Sequence, residues 1–182
     1  MLLVTQSLCL LLLQKLGSVL LLVKLDDLSL SFYLQADALI SLNLVQWDAT
    51  LARVTNPDII TSWQGDFSDG YDMLSRILPP KTGMLVKKFG RTTGLTRGII
   101  TTCAAGYMPL LYNADGFNAL VYFSNFWSIQ NYGNDLFVHP CDSSSLVVTK
   151  DAQAAVGLLF SVTKQGACML PLIPVLNCFR RC

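Results

Sequence analysis

Apolar and polar residues alternate in short runs along most of the chain, and the three-to-four spacing of an amphipathic helix is scarce. Leu28-Ser29-Leu30-Ser31-Phe32 alternates strictly, as does part of Ala38-Leu39-Ile40-Ser41-Leu42-Asn43-Leu44. Both read as half-buried strands and suit an antiparallel pair. Further on, short apolar runs at residues 84–89, 98–103, 119–129, 145–149, 154–161 and 168–172 are separated by glycine, proline and small polar residues. Six such strands with almost no helical pattern predict a mainly β chain built on an antiparallel six-stranded barrel. Residues 173–179 are expected to close it as a short helix, and no segment repeats at a fixed period.

Turn formers divide the chain. Residues 56–58 and 63–70 are turn-rich, and Leu78-Pro79-Pro80-Lys81-Thr82-Gly83 reads as a linker. The expected cut therefore lies near residue 80. Residues 1–80 form a partial first unit or leader with a turn-rich tail, and residues 81–182 form the barrel. Residues 1–23 are leucine-rich and carry one charge, Lys15. A signal peptide needs a basic start ahead of a bounded apolar run, and no basic residue precedes Leu10. A membrane span needs about 20 predominantly apolar residues, which this stretch just reaches with a lysine inside it. Core strands are the reading preferred here, with the membrane kept as an alternative. Cellular location stays open.

Composition narrows the function classes. The chain has 182 residues, 52% hydrophobic and 14% charged, with a formal net charge of +1. It can bury a substantial core, and nothing in its charge calls for nucleic acid. Lys87, Lys88, Arg91 and Arg97 gather locally without an aromatic stacking pattern, and are expected on the wet face of strands. The six cysteines form no CxxC pair and no Cys/His cluster at zinc spacing, so neither a metal nor another cofactor is expected. Gly90-Arg91-Thr92-Thr93-Gly94 lacks the lysine and following helix of a phosphate loop, and suits a tight turn between strands.

One loop carries candidate chemistry. His139-Pro140-Cys141-Asp142-Ser143-Ser144-Ser145, followed by Leu146-Val147-Val148, resembles the Gly-Asp-Ser-Gly-Ser nucleophile loop of the trypsin-like serine peptidases, with both glycines replaced. Two more segments agree with that family in order and spacing. Val86 to Ile100 looks like the hairpin opening the second barrel of the bacterial members, and Ala155-Val156-Gly157-Leu158-Leu159-Phe160-Ser161 is similar to the strand lining their primary specificity pocket. The resemblance covers about residues 84–179.

The resemblance implies a role for several residues. Ser143 falls on the nucleophile, which attacks a scissile carbonyl to form an acyl-enzyme. Asp142 falls on the acid that sets the loop by pairing with a freed N-terminal amine or another internal partner. The amides of Cys141 and Ser143 fall on the oxyanion-hole donors, and Asp37 resembles the acid that orients the catalytic histidine. Phe137 is expected near the pocket floor, with Phe160 and Ser161 along its wall, which favours an apolar side chain over a basic one. Cys168 falls near a position where this fold often anchors a disulfide, with Cys141 on the same side of the cleft.

The departures bear directly on activity. The family takes its base from the first barrel, upstream of the aspartate, whereas the chain's one histidine, His139, sits four residues before Ser143. Side chains at Cys141 and Ser144 restrict backbone angles that glycine leaves open. A complete first barrel needs on the order of 80 to 100 residues, so the first barrel is expected to be incomplete, with a partner chain one way to cover it. The readings carried forward are an incomplete, impaired serine peptidase domain acting on a peptide or protein, a non-catalytic peptide-binding barrel, and a membrane-associated protein with a leucine-rich anchor.

Overall fold

The computed structural model describes residues 9–12, 19–23, 44–45, 51–53, 63–65, 70–72, 74, 76–114, 117–163 and 166–179. Six strands form its centre: β6 (Leu85–Gly90), β7 (Gly94–Cys103), β10 (Trp127–Asn131), β11 (Leu146–Thr149), β12 (Ala154–Thr163) and β13 (Gly166–Pro171). They pair antiparallel in the order β11-β6-β7-β10-β13-β12, and β11 pairs again with β12, closing the barrel. The expected six-stranded barrel is therefore present, and α1 (Leu172–Phe179) follows its last strand.

The two-residue period of the strands divides the side chains between two faces. Val86, Ile100, Ile129, Val147, Val156, Leu159, Ala167 and Met169 form one buried cluster fed by all six strands, which is the barrel interior. Leu146, Val148, Ala155, Leu158, Cys168 and Leu170 take the alternate positions and pack outside the barrel against Leu172 and Val175 of α1, Tyr71, Leu74, Phe123 and Phe126. In β12 the pairing with β13 steps from Leu159↔Met169 to Ser161↔Cys168, so Phe160 is a bulged residue.

The run at residues 119–129 is two strands rather than one. β9 (Phe117–Phe123) pairs with β8 (Met108–Ala114) and lies beside β3 (Leu44–Val45), whereas β10 belongs to the barrel. Asn125 separates β9 from β10 at a φ of 56°, a left-handed angle that asparagine tolerates better than most residues. β5 (Arg76–Ile77) runs parallel beside β12 at Ala154 and Ala155.

Towards the N-terminus, β1 (Cys9–Leu12), β2 (Val19–Val23) and β4 (Leu51–Arg53) form a three-stranded antiparallel sheet. No helix among the described residues is long and apolar enough to cross a membrane. The expected strand at residues 28–32 and most of that at 38–44 lie outside the described residues, as does Asp37.

Candidate active site

The turn carrying Ser143 is fixed from two sides. Within it, the Asp142 amide donates to His139 O at 3.1 Å and the Ser145 amide to Asp142 O at 3.2 Å. Towards β12, the Ser144 amide donates to Leu159 O at 2.6 Å, and the Leu159 amide donates to Ser145 O at 3.1 Å. Ser145 Oγ adds a bond to Asp142 O at 2.7 Å. These bonds hold the half-buried Ser143 at the crest of a turn anchored to the barrel wall.

From the other side, the Asp142 carboxylate binds the β6–β7 hairpin. Its Oδ1 accepts from the amides of Thr92 at 2.8 Å and Thr93 at 3.3 Å. Its Oδ2 accepts from Lys88 Nζ at 2.8 Å, Thr93 Oγ1 at 2.6 Å and the His139 amide at 3.1 Å. Lys88 also donates to Thr93 Oγ1, and Thr92 Oγ1 donates to Pro140 O at 3.0 Å. The side chains of Lys88 and Asp142 are both 0% exposed. Burial by itself would raise the Asp142 pKa, but the bonds from Lys88, Thr93 and Thr92 and the ammonium charge together hold it below the usual carboxylate range.

Lys88 corrects the sequence reading. Lys87 and Lys88 are both buried, while Arg91 and Arg97 are exposed as expected. Lys88 shares the inward face of β6 with Val86, two positions earlier, and meets Asp142 at the barrel mouth. Lys87 turns the other way, with Nζ 5.9 Å from the Tyr71 ring centroid. The signal was available: strand alternation from Val86 puts position 88 inward, where a lysine needs an acid.

Because Asp142 titrates lower in the folded chain than its ordinary value near 3.9, its stabilising contribution is complete above about pH 4 and is lost as pH falls through the folded pKa. In acid titrations, Asp142→Asn is expected to flatten the dependence of unfolding free energy on pH below about pH 4, although it lowers stability at neutral pH by removing the carboxylate that offsets the buried Lys88 charge. An unchanged slope would mean that other carboxylates govern acid unfolding.

The two positions that replace glycines hold left-handed backbone angles, with φ at 78° for Cys141 and 71° for Ser144. Such conformations in non-glycine residues cost about 1–3 kcal/mol each. Replacing both by glycine is expected to raise stability by about 1–3 kcal/mol after the extra freedom of the unfolded chain is subtracted. Urea unfolding checks this: equal or lower stability in the double variant would show that the turn is unstrained.

The remaining candidates are dispersed. His139 is exposed, its amide serves Asp142, and no hydrogen bond joins its ring to Ser143 Oγ. Phe137 is buried in the interior cluster, its amide bonded to Asn131 Oδ1 at 2.8 Å and its carbonyl to Thr96 Oγ1 at 2.7 Å. Phe160 faces the outer cluster, 4.7 Å between ring centroids from Phe123 and 5.8 Å from Phe126. Ser161 is buried opposite Cys168. Phe137 and Phe160 thus fall in different clusters, and β12 stays paired with β13 as far as Thr163↔Gly166. Cys141 and Cys168 are not joined in a disulfide. Cys168 packs its sulfur 3.8 Å from that of Met108, and burial pushes its pKa up to about 11.

The closed six-stranded antiparallel barrel also occurs in solved bacterial proteases. A Nocardiopsis protease superposes with a TM-score of 0.54 at 16% identity, over 90% of this chain and 73% of its own. The fold is that of the trypsin-like serine proteases. Thermobifida fusca protease A and a glutamic acid-specific serine protease match this trypsin-like fold at TM-scores of 0.52, with 20% and 18% identity. Each of those two matches covers 72% of this chain and spans 65% of the other protein's length. No protein-family model and no curated protein matches the sequence.

Proposed function

We propose that the chain is a trypsin-like serine peptidase domain that retains the nucleophile turn, engages a peptide or protein, and is impaired in hydrolysis. The observation that carries this reading is the five-donor anchoring of Asp142, with Cys141 and Ser144 held in glycine-like angles beside Ser143. Such a turn directs a serine hydroxyl and the neighbouring amides at one carbonyl. In hydrolysis, Ser143 Oγ bonds to that carbon while its proton passes to a base, and the base then protonates the departing amine. This chain has one histidine, and it lies within the turn rather than opposite it. In serine peptidases of this fold, loss of a triad member leaves only about 10³ to 10⁴ over the uncatalysed rate.

The test is reaction with a fluorophosphonate probe, read by mass spectrometry at Ser143. The expected labelling is no greater than in Ser143→Ala, and peptides of mixed sequence are expected to bind both forms equally. Ser143-dependent labelling by the chain alone would overturn the impairment. Labelling that appears only when a second, histidine-bearing polypeptide is added would place the base on a partner. The non-catalytic peptide-binding reading differs in one respect: no added chain restores labelling.

A further inference from the structure

A cavity of about 380 Å³ lies apart from the Ser143 turn, and none of its lining residues belongs to that turn. Three segments build it. A short antiparallel bridge joins Gln64 to Tyr71, with both backbone bonds at 2.8 Å. That register sets Trp63 and Asp72 opposite each other on the next rung. Tyr71 and Leu74 also line it, and the β11–β12 turn supplies Asp151, Ala152 and Gln153. Trp63 is 40% exposed, and its indole Nε1 donates to Gly65 O at 3.1 Å.

The chemistry of this wall is specific. Asp151 Oδ1 accepts from Thr149 Oγ1 at 2.6 Å and from the Gln153 amide at 3.1 Å, which fixes the carboxylate. Among the described residues no donor reaches Oδ2. The bonds from Thr149 and Gln153 hold the Asp151 carboxyl below its ordinary range, so it is ionised at neutral pH. Asp72 also lines the cavity. Three cations lie nearby: the buried Lys87 on the Tyr71 ring, the exposed Lys150 next to Asp151 in the chain, and the exposed Arg76, paired with Ala154 beside Gln153. A half-exposed indole and a fixed carboxylate together suit a planar cation on an aliphatic stem.

We propose that this cavity binds an arginine side chain of a peptide or protein ligand, its guanidinium stacked on Trp63 and bonded to Asp151 Oδ2. The volume is at the lower end of ligand cavities, roughly 300–1,000 Å³, and suits one long side chain rather than a cofactor. The inference is independent of catalysis at Ser143, because it uses other residues.

The full-length chain, labelled with ¹⁵N, is titrated with acetyl-Arg-Arg-Arg-amide and with the same peptide carrying citrulline, which keeps the shape and removes the charge. Trp63→Phe identifies the Trp63 indole signal among those of Trp47 and Trp127. The arginine peptide is expected to shift the Trp63 indole and the Ala152 and Gln153 amides, and the citrulline peptide to leave them in place. Asp151→Asn retains an oxygen for the turn bonds and is expected to weaken binding about tenfold. An unmoved Trp127 signal shows that this variant is folded. Should it not fold, Trp63→Leu followed on the Ala152 and Gln153 amides serves instead, with about three- to tenfold weakening expected. Equal shifts from both peptides, no shift from either, or undiminished affinity in the variant read would overturn the proposal.

Discussion

Lys88→Met will destabilise the folded chain by about 3–5 kcal/mol, the cost of stranding one member of a buried ion pair. Methionine preserves most of the apolar stem, so the loss reports on charge rather than volume. Asp142 would retain bonds from the amides of Thr92, Thr93 and His139 and from Thr93 Oγ1, but no cation to offset a carboxylate that is 0% exposed. Urea unfolding measures the loss, and an unchanged m-value keeps the comparison within two-state behaviour. Removing both charges in Lys88→Met with Asp142→Leu should recover much of it, because apolar replacement of a buried pair is often neutral or better. A single-variant loss below about 1 kcal/mol would match a solvent-exposed pair and contradict the burial of Lys88.

The same pair explains what the sequence revealed and what it concealed. The barrel strands were legible as short apolar runs between turn formers, and in Leu146-Val147-Val148 the run is apolar throughout because both faces of the strand are buried. The Ser143 turn was legible through its neighbours, since Cys141 and Ser144 stand where the resembling loop has glycines and do hold positive φ. Lys88 was missed because its local cluster of positive charges suggested solvent, while its partner lies 54 residues away. The β9–β10 division was hidden because the apolar run resumes at Phe126-Trp127 straight after Ser124-Asn125, although asparagine is a turn signal. Phe137 and Phe160 could not be placed from the sequence. A bulge shifts alternation by one residue, and the bulge at Phe160 is set by the opposing strand.

Gly90→Ala will cost about as much as other severe overpacking, roughly 3 kcal/mol, although Gly90 carries no chemistry of its own. A Cβ at this position would stand 2.4 Å from Asp142 Oδ1 and 2.4 Å from Lys88 Nζ. A lysine end would ordinarily move aside, but this one is held by Asp142 and Thr93 within a buried site. Asp142 in turn is held by the hairpin amides, so relief requires displacing the hairpin or the serine turn. The effect should therefore depend on the ion pair. In a double-mutant cycle, Gly90→Ala is expected to cost at least about 1 kcal/mol less in the Lys88→Met background than in the original chain. Simple additivity would mean that the methyl group is accommodated elsewhere, and that Gly90 is not what allows the hairpin to close over Asp142.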